Sequence, residues 1–383
     1  MGLRLAPITR EQHMAFVRAQ PSASPMQLPS WGGVKPDWRA ESLGWLDGDR
    51  LVGAGLVLFR PLPALRRSLA YLPEGPLIDW SAHGLDRWLS PLLDHLRSQG
   101  AFAVRMGPPV VIRRWDAETV KAALADPGAK RLSDAKPSAH DPAGKAVAGR
   151  LRGMGWRDTA GDGTGGYLPR LSGSGGGFSA GQPRHVFQLP LAGRTLDEVR
   201  QGMNQQWRRN IKKAEKAGVK VVQGNHDDLP AFYELYAETA ARDGFTARPP
   251  AYFQRMWTAL TTEDPGRMRL YLAHHEGDLL AAATMLTVGE HVWYSYGAST
   301  TRKREVQPSN AIQWRMMSDA HERGAAVYDL RGITDTLDEA DDLAGLLRFK
   351  VGTGGEAVEY LGEWDYPLNR LLYNAFMLYM SRR

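Results

Sequence analysis

Three groups of residues have types and spacings that could do chemistry. The first lies in LLRFKVGTGGEAVEYLGEW at 346–364. Read with period two, Leu347, Phe349 and Val351 face one way, and Leu346, Arg348, Lys350 and Gly352 the other. This pattern predicts a strand that carries Lys350 to the mouth of a turn at Gly352, Gly354 and Gly355. Glycines there permit positive φ and close approach of a ligand. Two readings of Lys350 stand open: a solvated edge-strand lysine that blocks aggregation, or a compact point charge beside a bound substrate. A second strand is predicted at 357–361.

The second group rides on a helix predicted from Leu196 to Ala217. Thr195 and Glu198 form a capping box and Gly218 is its stop. Trp207, Ile211 and Ala214 supply an apolar stripe. Between Trp207 and Lys220 stand Arg208, Arg209, Lys212, Lys213, Lys216 and Lys220 against one acid, Glu215. Most of the net charge of +6 is concentrated here. The face is either plain solvated surface or a contact for a polyanion, since clustered arginine and lysine release counterions from phosphates.

The third group is built to grip anions. Lys35 closes the loop Trp31-Gly32-Gly33-Val34-Lys35, which suits a phosphate or sugar phosphate; simple exposure explains it as well. If Pro249 opens a helix, Arg248 sits at its cap and Tyr252 about one turn on, a guanidinium and a phenol for phosphate or carboxylate. A cap arginine alone would give the same pattern. Trp293-Tyr294-Ser295-Tyr296 reads as an aromatic strand, usually a core feature. His274-His275 has no third ligand at metal spacing, so no metal site is expected. Residues 338–342 read as a solvated acidic loop. No Walker A motif is present.

These groups need elements to hold them. A chain of 383 residues suggests two domains, and 43% hydrophobic residues suffice for real cores. The absence of cysteine excludes disulfides, thiolate metal sites and cysteine nucleophiles, and fits a reducing cytoplasm. The chain has no long apolar run and its start lacks a signal-peptide pattern, so a cytoplasmic location is expected. In the first half, a helix from Thr9 to Ala19, a hairpin turning at Asp47-Gly48-Asp49, a strand at 51–60, a helix between Gly84 and Gly100 and a strand at 101–106 are predicted. Residues 126–150 read as a surface excursion. Nine glycines in the 22 positions 161–182 mark a linker. The expected division is 1–180 and 181–364, with an aromatic-rich C-terminal helix within 365–383 packing back on the first domain. In the second half the order is strand 185–189, helix, helix 229–242, strands at 269–273, 279–288 and 291–296, helix 310–323, strand 326–330. This is an α/β (α+β) pattern of acetyltransferase-like type.

The chain resembles the Fem-type aminoacyltransferases. The likeness is carried by QQWRRNIKKAEKAGVKV at 205–221, RDGFTARPPAYF at 242–253, WYSYGAS at 293–299, RGIT at 331–334 and GLLRFKVGTGGEAVEYLGEWDYPLN at 345–369. WGGVK at 31–35, YLPEGPLIDW at 71–80 and FAVRMGPP at 102–109 match more loosely. The resemblance implies two acetyltransferase-like domains in tandem. It implies transfer of an amino acid, glycine by resemblance, from aminoacyl-tRNA to the side-chain amine of the third residue of a peptidoglycan stem peptide. The acceptor would be a lipid- or UDP-linked precursor, the former bringing the protein to the membrane surface. By the same resemblance Lys35, Arg248 and Tyr252 hold the acceptor's diphosphate, Tyr294 and Tyr296 are site tyrosines, and Phe349 and Lys350 meet the tRNA acceptor end and the reaction centre. The basic face of Arg208, Arg209, Lys212, Lys213 and Lys216 would bind tRNA. No cofactor is expected, and a monomer is.

Two departures stand out. The family often has an aspartate before the proline of the first domain's strand-end motif, where this chain reads Arg105-Met106-Gly107-Pro108. Some members carry a coiled-coil arm, and here Ala217-Gly218 runs straight into the next strand. Amine attack on an activated ester needs neither a metal nor a covalent nucleophile. It needs positioning and charge stabilisation of a tetrahedral intermediate. Competing readings are a tRNA-dependent amide ligase acting on a small molecule or peptide antibiotic, and a non-catalytic tRNA-binding protein.

Overall fold

Two mixed β-sheets share the chain in the computed structural model, which describes residues 2–62, 65–159, 181–338, 341 and 343–381. The expected linker, save for Gly181 and Gln182, and part of the acidic loop at 338–342 lie outside the described residues. The first sheet runs in the order Arg4–Pro7, Arg39–Asp47, Arg50–Pro61, Ser68–Leu72, Ala101–Met106, Trp364–Pro367, Arg157–Asp158. The second runs Lys220–Gly224, Met268–His275, Asp278–Val288, His291–Ser299, Val327–Gly332, His185–Pro190, Glu356–Tyr360, Val111–Asp116, Ala139–His140. Strand membership does not follow the linear order. Val111–Asp116 pairs with Glu356–Tyr360 in the second sheet, and Trp364–Pro367 pairs with Ala101–Met106 in the first.

Most predicted elements form, for the reasons the residues suggest. Thr9 and Gln12 close a capping box on the helix Arg10–Arg18, and Asp47–Arg50 turns the hairpin. Residues 126–150 differ from expectation. They include the start of the helix Pro142–Gly153, capped by Asp141, which buries Val147, Ala148 and Leu151. Small residues disguised its apolar face. The long helix from Leu196 is also two helices, Leu196–Gly202 and Gln205–Ala217. Asn204 starts the second by accepting from the Trp207 amide at 2.8 Å.

One apolar core joins the two halves. Met14, Val17, Leu28, Trp31, Val34, Leu56 and Leu58 pack with Phe232, Tyr236, Tyr252, Phe253 and Met256. This contact holds the loop of Lys35 against the helix Pro250–Glu263. Tyr373 of the C-terminal helix, Arg370–Ser381, packs on Leu69, Phe102 and Ala103 of the first sheet.

Among the described residues each sheet has one parallel pair of neighbours: Ser68–Leu72 with Ala101–Met106, and His291–Ser299 with Val327–Gly332. In the second pair the ladder spans only His291↔Val327, Val292↔Tyr328 and Trp293↔Asp329. Beyond Trp293 the strands separate, and their freed ends line a cavity of about 780 Å³.

Candidate active site

Lys350 is not on a strand. Residues Ala344–Val351 form a short helix. Leu343, Leu346, Phe349 and Lys350, at i, i+3, i+6 and i+7, all line the cavity, while Leu347 and Val351 are buried in the core. Phe349 and Lys350 therefore share the cavity wall instead of facing opposite ways. The period-two reading failed because apolar residues at 343, 346, 347 and 351 also fit a helical face, and the eight-residue helix is too short to separate the two periods.

The lysine is 3% exposed. Its Nζ donates to the main-chain oxygen of Gly332 at 2.6 Å and is 3.4 Å from that of Arg331. Burial pulls its pKa down to about 7; nearby Asp329 opposes the shift and Arg331 adds to it. Both carbonyls lie at the irregular end of the strand Val327–Gly332, where the register with His185–Pro190 steps between Asp329 and Gly332. Arg331 has φ of +64°, and its amide donates to Asp329 at 2.6 Å. Its guanidinium bridges Glu74 at 2.8 Å and Gln182 at 2.9 Å. Asp329 is fully buried. Burial resists its ionisation, but the hydrogen bond and charge of His291 hold its pKa below the usual value. Arg331, Asp329 and Glu74 were not anticipated. The RGIT stretch was visible, but a supporting role depends on its neighbours in space.

The glycines after Lys350 serve packing. A Cβ on Gly352 would meet the Trp207 ring at 2.3 Å, one on Gly354 the Gly202 oxygen at 2.1 Å, and one on Gly355 the Gln188 oxygen at 2.2 Å. Gly352 and Gly354 let the turn sit against the break between the two helices, and Gly355 lets it sit against the strand His185–Pro190. The Trp207 indole donates to the Phe349 oxygen at 2.8 Å, with ring centroids 4.7 Å apart. The basic helix is thus bonded to the segment that carries Lys350.

On that helix the candidates divide. Arg208 is half-buried and donates to the oxygens of Gln201 and Met203, closing the end of the preceding helix. Arg209 reaches Gln206. Lys212, Lys213 and Lys216 are exposed, and among the described residues none has a carboxylate within 4.0 Å.

The anion-gripping residues do come together. Lys35 ends the 3-10 helix Pro29–Val34; its Nζ lies 5.3 Å from the centre of the Tyr252 ring, and the Arg248 guanidinium 5.0 Å from the same ring. The Tyr296 hydroxyl donates to that of Tyr252 at 3.1 Å. Burial, then the charges of Arg248, Arg255 and Arg60, lower the Lys35 pKa to about 8. Four cations converge here. Arg60 and Arg255 escaped the sequence reading because they sit on a core strand and inside a helix.

Tyr294 and Tyr296 diverge. Opposite them the register steps from Thr284↔Tyr296 to Met285↔Tyr294, so Ser295 is a bulge. Tyr294 packs with one core and Tyr296 with the other, yet both line the cavity, as do Lys35, Arg60, Arg248, Tyr252, Phe349 and Lys350.

A carboxylate from a distant part of the chain does stand beside Gly107. A Cβ on Gly107 would lie 3.3 Å from Glu363 Cγ. Glu363 is buried and accepts from Tyr71 at 2.5 Å and from the Gly181 amide at 2.7 Å. Burial raises its pKa. Glu363 and Gly107 both line a smaller cavity of about 250 Å³, which also shares Arg331 with the larger one.

Fold and cavity define a tandem acetyltransferase-like protein whose cavity is lined by cations. A tandem GNAT protein from the clavulanic acid biosynthesis pathway shares the fold, with a TM-score of 0.52 at 12% identity, covering 95% of this chain and 98% of that one. The chain belongs to the FemAB family, whose model matches residues 8–134, 169–274 and 269–380. The crystal structure of FemX superimposes with a TM-score of 0.78 at 23% identity, over 97% of this chain and 99% of that one. The lipid II:glycine glycyltransferase of Staphylococcus epidermidis is 25% identical over 437 residues, covering 96% of this chain and 93% of the relative. That of Staphylococcus aureus is 24% identical over 441 residues, with the same coverage. The segment Ala217–Lys220 leads directly into the strand Lys220–Gly224, so no arm is inserted there.

Proposed function

We propose that this protein is an aminoacyltransferase that moves an amino acid, glycine in the relatives' names, from aminoacyl-tRNA to an amine on a peptidoglycan precursor. The observation that carries this reading is the single cavity that Lys35, Arg248 and Lys350 all line. A reaction between two large phosphate-bearing substrates needs separate anion grips opening on one reaction space, and catalysis mostly by positioning. Lys35, Arg248 and Tyr252, with Arg60 beside them, hold the acceptor's diphosphate. Lys350 and Phe349 receive the acyl end of the tRNA, whose phosphates follow Lys212, Lys213 and Lys216. The amine attacks the ester carbon, a C–N bond forms, and the C–O bond to the ribose breaks. The proton lost by the amine ends on the ribose oxygen. While the carbonyl oxygen carries negative charge, the ammonium of the buried Lys350 stabilises it. Tyr294 and Tyr296 shape the walls between the two grips.

The acceptor amine is assigned to the third residue of the stem peptide. A lipid-linked acceptor places the reaction at the cytoplasmic face of the membrane; no helix among the described residues is long and apolar enough to cross it. The test offers labelled aminoacyl-tRNA pools to the protein with lipid-linked, nucleotide-linked or no precursor. Label should pass to the lipid-linked precursor and transfer should vanish after ribonuclease treatment of the donor. Transfer that survives ribonuclease, or no transfer to either precursor, overturns the reading.

A further inference from the structure

The C-terminal helix Arg370–Ser381 has two apolar faces. Its inner face, Tyr373 with Leu372 and Phe376, packs on the first sheet, and the Phe102 and Phe376 rings are 5.3 Å apart. Its outer side is also apolar. Leu371 is 85% exposed, Leu378 54% and Tyr379 53%. Leu371, Ala375 and Leu378 fall at i, i+4 and i+7, one stripe on a helix. Beside it, in the loop after Arg50–Pro61, Leu65 is 50% exposed, and Leu62 of the same loop packs into the helix's cluster.

The two segments that form this surface carry charges of one sign. Residues 366–381 contain no acid, and neither do 60–70. Arg66, Arg67, Arg157 and Arg370 are exposed; the Arg157 guanidinium lies 5.6 Å from the Tyr373 ring centre. Among the described residues none of the four has a carboxylate within 4.0 Å. Apolar side chains projecting from a short helix within a rim of arginines match an anionic bilayer, where the chains enter the acyl boundary and the guanidiniums meet headgroup phosphates. A second copy of this chain fits poorly. A stripe this small falls well short of the roughly 800 Å² per partner of a stable interface, and symmetry would set arginines against arginines.

The surface also adjoins the cavity. Arg60 lines the cavity two residues before Leu62. The Tyr373 hydroxyl donates to Asp365 at 2.9 Å, and Asp365 accepts two hydrogen bonds, at 2.7 and 2.8 Å, from Arg105, another lining residue.

We infer that the outer face of the C-terminal helix, with Leu65 and the arginines around it, docks this protein on an anionic phospholipid surface. Docking needs neither substrate, so it stands or falls apart from the acyl transfer proposed above. The test is flotation of the full-length protein with phosphatidylcholine vesicles, with and without phosphatidylglycerol, across a range of salt. Binding should require phosphatidylglycerol and weaken with salt. The double variant L371S/L378S should lose at least about tenfold in partitioning, and Arg66→Gln and Arg67→Gln about fivefold each. All three should keep the parent's melting curve and its turnover of a water-soluble, nucleotide-linked acceptor. Undiminished binding by L371S/L378S overturns the inference, as does failure to bind phosphatidylglycerol vesicles at low salt. A parent dimer that L371S/L378S converts to monomer would show that a second copy covers the face, and would overturn it equally.

Discussion

The side-chain nitrogen of Lys350 lies 2.6 Å from the main-chain oxygen of Gly332. A lysine held by carbonyls at a strained strand end, with no carboxylate within 4.0 Å among the described residues, is pre-aimed at small cost in side-chain entropy. It keeps an ammonium in a place where burial resists the charge. Arg331 anchors this strand end by its ion pair with Glu74, so residues 257 apart in the chain cooperate to place one nitrogen.

Replacing Lys350 with methionine should separate stability from activity. An oxyanion contact acts only in the transition state, so kcat should fall by roughly 10²–10³ with KM for aminoacyl-tRNA little changed. The buried charge is itself unfavourable, so the variant should melt no lower than the parent near neutral pH. A rise in KM at constant kcat would instead assign the lysine to a tRNA phosphate.

The depressed pKa makes a pH prediction with a definite sign. The protonated form is the active one, and the free enzyme loses that proton near pH 7. The kcat/KM for aminoacyl-tRNA should therefore fall as pH rises through about 7. Bound phosphates favour the ammonium, so the kcat profile should fall at higher pH. Folding adds a second check. The folded pKa lies below the unfolded value, so this lysine destabilises the fold fully below about pH 7, and the penalty fades as pH rises toward about 10.4. Any stability gain of K350M should shrink over that window. A kcat/KM that rises through pH 7 would make Lys350 a base.

Charge reversal on the exposed face of the basic helix should weaken tRNA binding. Glutamate at Arg209, Lys212 and Lys216 should flatten the log–log salt dependence by up to about 0.7–0.9 for each tRNA phosphate that is no longer neutralised. Arg208 behaves differently because it closes the preceding helix. Arg208→Ala should cost roughly 1–2 kcal/mol of stability, measured by urea unfolding. An unchanged salt slope in the triple variant would remove RNA from this face.

Alanine at Lys35 or Arg248 should raise the acceptor KM by roughly tenfold or more, as charge-assisted hydrogen bonds worth about 1.5–3 kcal/mol imply. The donor KM should barely move. The opposite pattern in steady-state kinetics would exchange the two grips.

Gly354→Ala tests the packing role of the turn. The residue has φ of +81°, and a Cβ would meet the Gly202 oxygen at 2.1 Å. Backbone strain alone costs roughly 1–3 kcal/mol, so the variant should unfold at lower denaturant. A substrate-approach role would leave stability intact and change only KM.

Much of this protein could be read along the chain. The N-cap threonine at Thr9, the capping box at Thr195, the glycine stop at Gly218 and the turn at Asp47-Gly48-Asp49 are local chemistry, legible without neighbours. So were Lys35, Arg248, Tyr252 and Lys350 as candidates, because charge among apolar residues or glycine stands out in one dimension. The tertiary structure alone decided what each of them touches. Lys350 sits on a helix because packing of Leu347 and Val351 into the core settles a pattern that two periods fit. The glycines after it exist for Trp207, Gly202 and Gln188, none of which is near them in sequence. Tyr294 and Tyr296 face different cores because a bulge at Ser295 shifts the alternation, and a bulge is set by the partner strand. Arg331 and Glu74 acquire roles only where the two halves of the chain meet, since an ion pair across 257 positions leaves no mark on the local sequence of either residue.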